Sequence, residues 1–172
     1  MKNFTLLSFR VRRAIAAIAF IFAALVISSP VTKAGTWNGI EPLKSRRADV
    51  ERLLGKPLRD QPGANGTLHF KVAGGIVTIA FVDARFVAAK KLFPELEGTV
   101  RQIVLQHEKS SETPESLTIA GNSSFERQDG KDSTVVYRNL KEGIVYTFIG
   151  GRLKTTYFTP SAEQWSRAQK GS

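Results

Sequence analysis

The hydrophobic pattern sets the N-terminal segment apart from the rest of the chain. Residues 14–28 form a run of 15 residues that is apolar up to its last position, Ser28, and residues 1–13 before it carry four basic residues and no acid. A basic start, an apolar stretch of this length and a small residue such as Ala34 after it are typical of a secretory signal. The run is shorter than the roughly 20 residues that a membrane span needs. We therefore expect residues 1–34 to be a signal peptide, with an uncleaved N-terminal anchor as the alternative.

The first element predicted after this segment and a short lead is a helix. Apolar residues recur at helical spacing up to Leu54, Gly55 follows where a left-handed C-cap is favoured, and Pro57 prevents continuation. The Ser45 hydroxyl is a suitable N-cap. The pattern predicts a helix over 46–54.

Alternation of apolar and polar residues then predicts strands joined by tight turns. Gly74-Gly75 and Gly150-Gly151 are expected to form two-residue hairpin turns. Thr159-Pro160 favours a C-terminal helix anchored by Trp165, whereas residues 83–98 fit either a packed loop or a short helical turn. The predicted strands cover 67–73, 76–82, 99–107, 133–139, 143–149 and 152–158.

These elements predict an α+β fold. We expect an antiparallel sheet of about six strands in two three-stranded halves, with a short N-terminal helix and a C-terminal helix packed on it. The predicted organisation is residues 35–160 as a single α+β domain and 161–172 as the C-terminal helix and tail. The related tripeptides at Gly75 and Gly143 leave open whether the two halves are a duplication.

Composition narrows the function classes. The chain has 172 residues, 42% hydrophobic and 23% charged, with no cysteine and a formal charge of +10. Residues 1–34 hold five of the 25 lysines and arginines and none of the 15 acids, so the remaining 138 residues have a net charge of +5. This charge fits an anionic partner or an ordinary solvated surface. We expect no nucleic-acid partner, because an exported chain without a basic helix or an aromatic RNA-binding strand lacks the required surface.

The segment around the predicted helix resembles two bacterial families. Residues 42–57, PLKSRRADVERLLGKP, resemble a helix of the small lipoprotein in the outer-membrane β-barrel assembly machine. That resemblance implies helices packed on a three-stranded antiparallel sheet, a layout found in tandem in β-lactamase inhibitory protein. A second resemblance, to a family of uncharacterised secreted bacterial proteins, implies an envelope setting and no known activity. It spans nearly all of the chain after residue 34 and is carried by residues 37–40, 42–45, 49–55, 141–144 and 157–161.

The side chains offer little catalytic chemistry. Cysteine nucleophiles are absent, and only His69 and His107 are available as a triad base or a metal ligand, without a nucleophile-elbow motif or metal-ligand spacing. We therefore predict no catalytic residue, no metal site and no cofactor. The alternative is a small envelope-polymer hydrolase that uses a carboxylate pair. Its candidate acids are Asp83, Glu95, Glu97 and Glu108.

Two groups of residues are candidates for binding. Lys44, Arg46 and Arg47 crowd the start of the first helix, where free N–H groups and guanidinium groups favour a carboxylate or phosphate. The alternative is a solvated face on which Arg47 pairs with Glu51 and Arg52 with Asp49.

The second group is aromatic and basic. Tyr157 and Phe158 must point to opposite faces of the sheet, so one face is core and the other is an aromatic surface. We take Phe158, with Arg152 and Lys154 beside it, as the candidate binding residues of that surface, with core packing as the alternative.

These patterns favour a secreted or periplasmic, non-catalytic binding module. Its expected partner is a protein or an anionic envelope component, bound through the aromatic and basic face of the sheet or through a free edge strand. Envelope assembly and inhibition of an extracellular hydrolase are two settings that fit. A membrane contact is expected only through the N-terminal segment, if that segment is retained.

Overall fold

The structure, a computed structural model, describes residues 35–61 and 66–170. The described part consists of eight strands, three α-helices and one 3-10 turn. The predicted signal peptide or anchor lies outside the described residues. The α-helices are α1 (Arg47–Leu54), α2 (Ala84–Lys90) and α3 (Ala162–Ala168), and the 3-10 turn is Pro94–Leu96. The strands are β1 (Arg59–Gln61), β2 (Thr67–Val72), β3 (Gly75–Phe81), β4 (Val100–His107), β5 (Glu126–Asp129), β6 (Thr134–Asn139), β7 (Ile144–Ile149) and β8 (Arg152–Phe158).

All eight strands belong to one antiparallel sheet, so the predicted α+β class is confirmed. The strand order is β1-β2-β3-β4-β8-β7-β6-β5. Two meanders of four strands each are joined where β4 pairs with β8, with Val104 opposite Tyr157. The strand that closes each meander therefore lies in the middle of the sheet.

The sheet has eight strands in two four-stranded halves, whereas about six strands in two three-stranded halves were predicted. The additional strands are the two edges, β1 and β5. Strand β5 has the sequence ERQD and all four residues are exposed, so it lacks the alternation on which the prediction depended. Residues 83–98, which were predicted to form either a packed loop or a short helical turn, form α2 and the 3-10 turn.

The first helix begins one residue later than predicted, and its N-cap is Arg46 instead of Ser45. The Ser45 hydroxyl accepts a hydrogen bond from the Glu41 N–H at 2.9 Å, which closes the turn before the helix. Asp49 takes over the cap by accepting from the Arg46 N–H at 3.0 Å. This bond, together with the Arg52 guanidinium, lowers the pKa of Asp49. Gly55 ends the helix with a positive φ of 79°, but its ψ of −153° is not that of the left-handed cap that was predicted.

The glycine pairs differ in their roles. Gly150 and Gly151 both have positive φ and form the predicted two-residue turn. The turn between β2 and β3 is instead Ala73-Gly74, since Gly75 already pairs with Val72. Gly75 is required for a different reason, because a Cβ there would overlap the carbonyl oxygen of Gln106 on β4.

One face of the sheet, which we call the covered face, carries the core. Side chains of β2, β3 and β4 pack beneath Ile40 and the α1 residue Val50. The second meander packs beneath residues 117–125, with Ile119 buried against Tyr137 and Phe148. A third apolar cluster joins Leu43 and Leu92 to Ala168 of α3, with Trp165 packed against it. No helix in the described ranges is long and apolar enough to cross a membrane.

Candidate functional site

The second face of the sheet, which we call the open face, has no buried side chain among the described residues. Every buried residue of β2 to β8 falls on the covered face when the register is followed across the sheet. None of the three apolar clusters includes a residue from the open face. Among the described residues, one face of the sheet therefore carries the buried side chains and the other carries none.

A row of directly opposed residues crosses the open face on seven strands, and we call it the tyrosine row. Tyr157, on the central strand β8, has Val104 on one side and Val145 on the other. Outward from these three, the row is polar or charged at both ends. In order across the sheet it reads His69, Thr78, Val104, Tyr157, Val145, Arg138 and Glu126.

A parallel row beside it is neutral and polar near its centre. Gln106, Thr155 and Thr147 are opposed on β4, β8 and β7, with Ile76 and Val136 flanking them. In the described part of the chain, the three central side chains make no hydrogen bond to another residue. Their amide and hydroxyl groups are available to water or a partner. The centre of the open face thus combines one aromatic ring, apolar flanks and unpaired polar groups.

The candidate residue Phe158 lies on the covered face, which corrects the sequence-based assignment. It stands opposite Ile103 and packs against the main core. Alternation separated Phe158 from Tyr157 correctly, but the register with β4 decides which of the two lies on the open face. Tyr157, opposite Val104, is therefore the aromatic residue of β8 on the open face.

The two basic candidates on β8 have separate environments. The Arg152 guanidinium donates to the Ser111 carbonyl oxygen at 2.5 Å and so holds the segment after β4 beside β8. Lys154 is exposed at the register shift between β7 and β8. Neither residue belongs to the tyrosine row.

The three cations at the start of α1 are each engaged with an oxygen atom. The Arg46 guanidinium donates to the carbonyl oxygens of Glu95 and Glu97 at 2.6 and 2.9 Å. Lys44 lies 3.1 Å from the Glu41 carboxylate. Arg47 pairs with Glu51 at 2.9 Å, and the pair of Arg52 with Asp49, at 3.2 Å, also forms. The surface of α1 thus carries the ion pairs that were predicted as the alternative to an anion-binding site.

The two histidines lie on opposite faces of the sheet, so they do not share a site. His69 is on the open face, with Nδ1 3.1 Å from the Thr78 hydroxyl. His107 is on the covered face, with Nε2 3.0 Å from the Thr156 hydroxyl, and burial lowers its pKa. No group of three histidine, aspartate or glutamate side chains within residues 35–61 and 66–170 is arranged to hold a metal ion.

The candidate carboxylates of the alternative hydrolase are distributed over the fold. Asp83 caps α2 by accepting from the Phe86 N–H at 2.7 Å, whereas Glu108 pairs with Lys71 beyond the far end of β4. These two acids are separated by the length of a hairpin strand, on the order of 20 Å. Glu95 and Glu97 are exposed at the 3-10 turn. The geometry gives no specific support to a carboxylate pair drawn from the four.

Comparisons with known proteins add one structural neighbour. Neither a protein-family model nor a curated protein sequence matches the chain. The chain is similar in structure to a DUF4309 family protein, YjgB, from Bacillus subtilis subsp. subtilis str. 168, with a TM-score of 0.48 and 14% sequence identity. The match covers 72% of this chain and 83% of that chain. The resemblance to the β-barrel assembly lipoprotein stays a prediction.

Proposed function

We propose that the protein is an extracytoplasmic, non-catalytic binding module that docks another protein on its open face. The observation that carries the proposal is the complete lack of buried side chains on this face, opposite a face that contains the core. A sheet face with an apolar and aromatic centre, left without a cover in the described part of the chain, is suited to a partner.

The dimensions of the open face fit a protein interface. Seven strands about 4.8 Å apart span about 29 Å, and the face extends about 20 Å along the strands. The resulting area, on the order of 600 Å², approaches the roughly 800 Å² that each partner contributes to a standard interface. Tyr157 lies near its centre, where tyrosine commonly contributes much of the binding energy.

The charges favour a protein over an anionic polymer. The open face has Arg138 with the acidic Glu126 directly opposite, and Lys71 pairs with Glu108. Arg152 lies at the end of this face, next to the turn, and its guanidinium donates to the Ser111 carbonyl oxygen. The centre of the face is therefore close to neutral, whereas a polyanion requires a continuous basic surface. A neutral centre with charged groups at the rim is typical of protein interfaces.

The open face is also a better docking surface than the sheet edges. Strand β5 presents only exposed polar and charged side chains, and β1 has three residues. Short, charged edge strands disfavour the addition of another strand. We therefore place the partner on the face. Assembly of the envelope and inhibition of an extracellular hydrolase are both functions that such a complex fits, and the predicted secretory signal supports the extracytoplasmic setting.

Site-specific crosslinking in the native cells tests this proposal. A photoreactive residue placed at Val145, beside Tyr157, is expected to capture one protein from the envelope. The matched control at Leu140, which is 63% exposed in the turn after β6, is expected to capture none. Crosslinks that form only from Asp129, which is on β5 but points away from the open face, would assign the partner to the edge strand instead.

Binding of the captured partner then tests the role of Tyr157. Tyr157→Ala is expected to weaken the affinity at least about tenfold, because a central aromatic residue is lost. Tyr157→Phe should retain most of the affinity, since it keeps the ring. Equal affinities of the wild type and Tyr157→Ala, with unchanged circular dichroism, would contradict the proposal.

A further inference from the structure

A cleft of about 640 Å³ lies between three segments that the tyrosine row does not use. Its walls are residues 41–44 before α1, residues 93–96 around the 3-10 turn, and one side of α3. No residue of the open face lines it. The volume lies within the range of about 300–1,000 Å³ that small-molecule sites occupy.

The floor of the cleft is apolar and fixed. Leu43 and Ala168 are buried there as part of the third apolar cluster, and Leu96 packs against them. Leu43 has a left-handed backbone with φ 57°, while its N–H donates to the Val100 carbonyl oxygen at 2.7 Å. A side chain in this conformation is unfavourable by roughly 1–2 kcal/mol. Burial of Leu43 offsets that cost and holds its side chain at the floor.

Two side chains hold the walls together. Arg46 donates to the carbonyl oxygens of Glu95 and Glu97, which attaches the 3-10 turn to the start of α1. From α3, the Gln164 amide nitrogen donates to the Glu41 carboxylate at 3.2 Å and to the Pro42 carbonyl oxygen at 3.1 Å. A site whose walls are already bonded together loses less conformational freedom when a ligand binds.

The charges that line the cleft leave one carboxylate without an ionic partner. Lys44 pairs with Glu41 at 3.1 Å, and Arg167 pairs with Glu163 at 3.3 Å. The remaining ionisable group of the lining is Glu95, which has no ion pair with another described residue. Among the residues that line the cleft, acids therefore outnumber bases by one. The nearby cation outside the lining, Arg46, donates to main-chain carbonyl oxygens and not to the Glu95 carboxylate.

An exposed aromatic side chain lines the same wall of the cleft as this carboxylate. Phe93 is two residues before Glu95 in the same wall and is 38% exposed. The face of an aromatic ring and a carboxylate both attract an organic cation, and such a pairing is a common way to bind alkylammonium groups.

We propose that this cleft binds a small, free organic ammonium ion with an apolar body. Glu95 balances the charge, Phe93 covers the ammonium group, and the floor formed by Leu43, Leu96 and Ala168 takes the hydrocarbon part. This inference does not depend on the partner of the open face, because the two surfaces share no residue.

Calorimetric titration of the full chain with hexyltrimethylammonium tests the cleft. Saturable binding at one site is expected, and hexanol and hexanoate should bind at least about tenfold more weakly because they lack the cation. No saturable binding of the cation, or equal binding of hexanoate, would overturn the proposal.

Variants locate the binding site. Glu95→Gln is expected to reduce the affinity about tenfold and Phe93→Ala about threefold, within the range of cation–π and charge interactions at exposed sites. The matched control is Glu97→Gln, since Glu97 is also an exposed carboxylate of this turn but its side chain does not line the cleft. An equal loss in Glu95→Gln and Glu97→Gln would exclude a specific role for the cleft.

Competition identifies the source of the ammonium group. Phosphocholine, the soluble form of a lipid headgroup, adds a phosphate that the acidic lining repels, so it should compete poorly with the probe. Displacement of the probe by phosphocholine at lower concentration than by choline would overturn the assignment to a free cation.

Discussion

The two faces of this sheet are made from the same strands but differ in how far their side chains are buried. The covered face contains every buried side chain of β2 to β8, whereas the open face contains none of them. Alternation along a strand separates the two sets of residues completely. Because stability is concentrated on one side, the side chains of the other can change to suit a partner at little cost in folding free energy.

The largest expected effect comes from a matched pair on β3. Ile79 is fully buried on the covered face, and Ile76 is half-buried on the open face. Ile79→Ala should lower the free energy of unfolding by about 2–5 kcal/mol through lost burial and a cavity. Ile76→Ala should lower it by less than about 1 kcal/mol. Urea denaturation measures both, and equal losses would show that something covers the open face.

The cover of the second meander gives the next largest effect. Ile119 is 4% exposed and is the buried contact that residues 117–125 make with Tyr137 and Phe148. We expect Ile119→Ala to lower the free energy of unfolding by about 2 kcal/mol, the lower end of the range for such changes, because the segment can move inward. Leu140→Ala is the exposed control. A loss below about 0.5 kcal/mol would mean that these residues do not act as a cover.

A pair of neighbouring glycines tests the spacing of the strands. Gly75→Ala places a methyl group against the Gln106 carbonyl oxygen, so it should cost about 1–3 kcal/mol of unfolding free energy. Gly74→Ala meets no atom but keeps a positive φ of 84°, so it should cost only about 1 kcal/mol. If Gly74→Ala is the more destabilising change, the backbone geometry of the turn contributes more to the stability of this hairpin than the close contact between β3 and β4.

The smallest effect is the pH dependence associated with His107. Burial on the covered face lowers the pKa of His107, so the unfolded chain binds a proton at a higher pH than the folded chain does. The contribution to stability is complete above the ordinary histidine pKa of about 6.5 and is lost as the pH falls through the folded pKa. His107→Gln should therefore reduce the loss of stability between pH 7.5 and 5.5, measured by urea denaturation. His69→Gln, on the open face, is the control, and an equal change in both variants would contradict this assignment.

Local patterns predicted the central elements well. Strand β8 was expected at 152–158, the range it occupies, because its alternation and the glycine turn before it are both strong. The α+β class followed from the same features. The edges were missed because β1 and β5 are short and polar, so pairing with a neighbour is what makes them strands.

The candidate site was harder to predict because it depends on contacts between distant residues. Ser45 was a sound N-cap by residue type, yet its hydroxyl closes the preceding turn with Glu41. Arg46 was a candidate for contact with an anionic ligand, but its guanidinium donates to carbonyl oxygens about fifty residues away in the sequence. The choice between Tyr157 and Phe158 needed the pairing of β8 with β4. Each of these outcomes is set by the tertiary arrangement and not by local spacing.

The charged edge strand β5 also limits what kind of assembly this protein can form. An unprotected edge recruits another edge, and each addition creates a new one, so growth along a sheet has no natural end. The exposed ERQD sequence of β5 blocks that route. In the proposed docking mode, a partner seated flat on the sheet leaves no equivalent surface behind it, so we expect a complex of finite size and fixed stoichiometry.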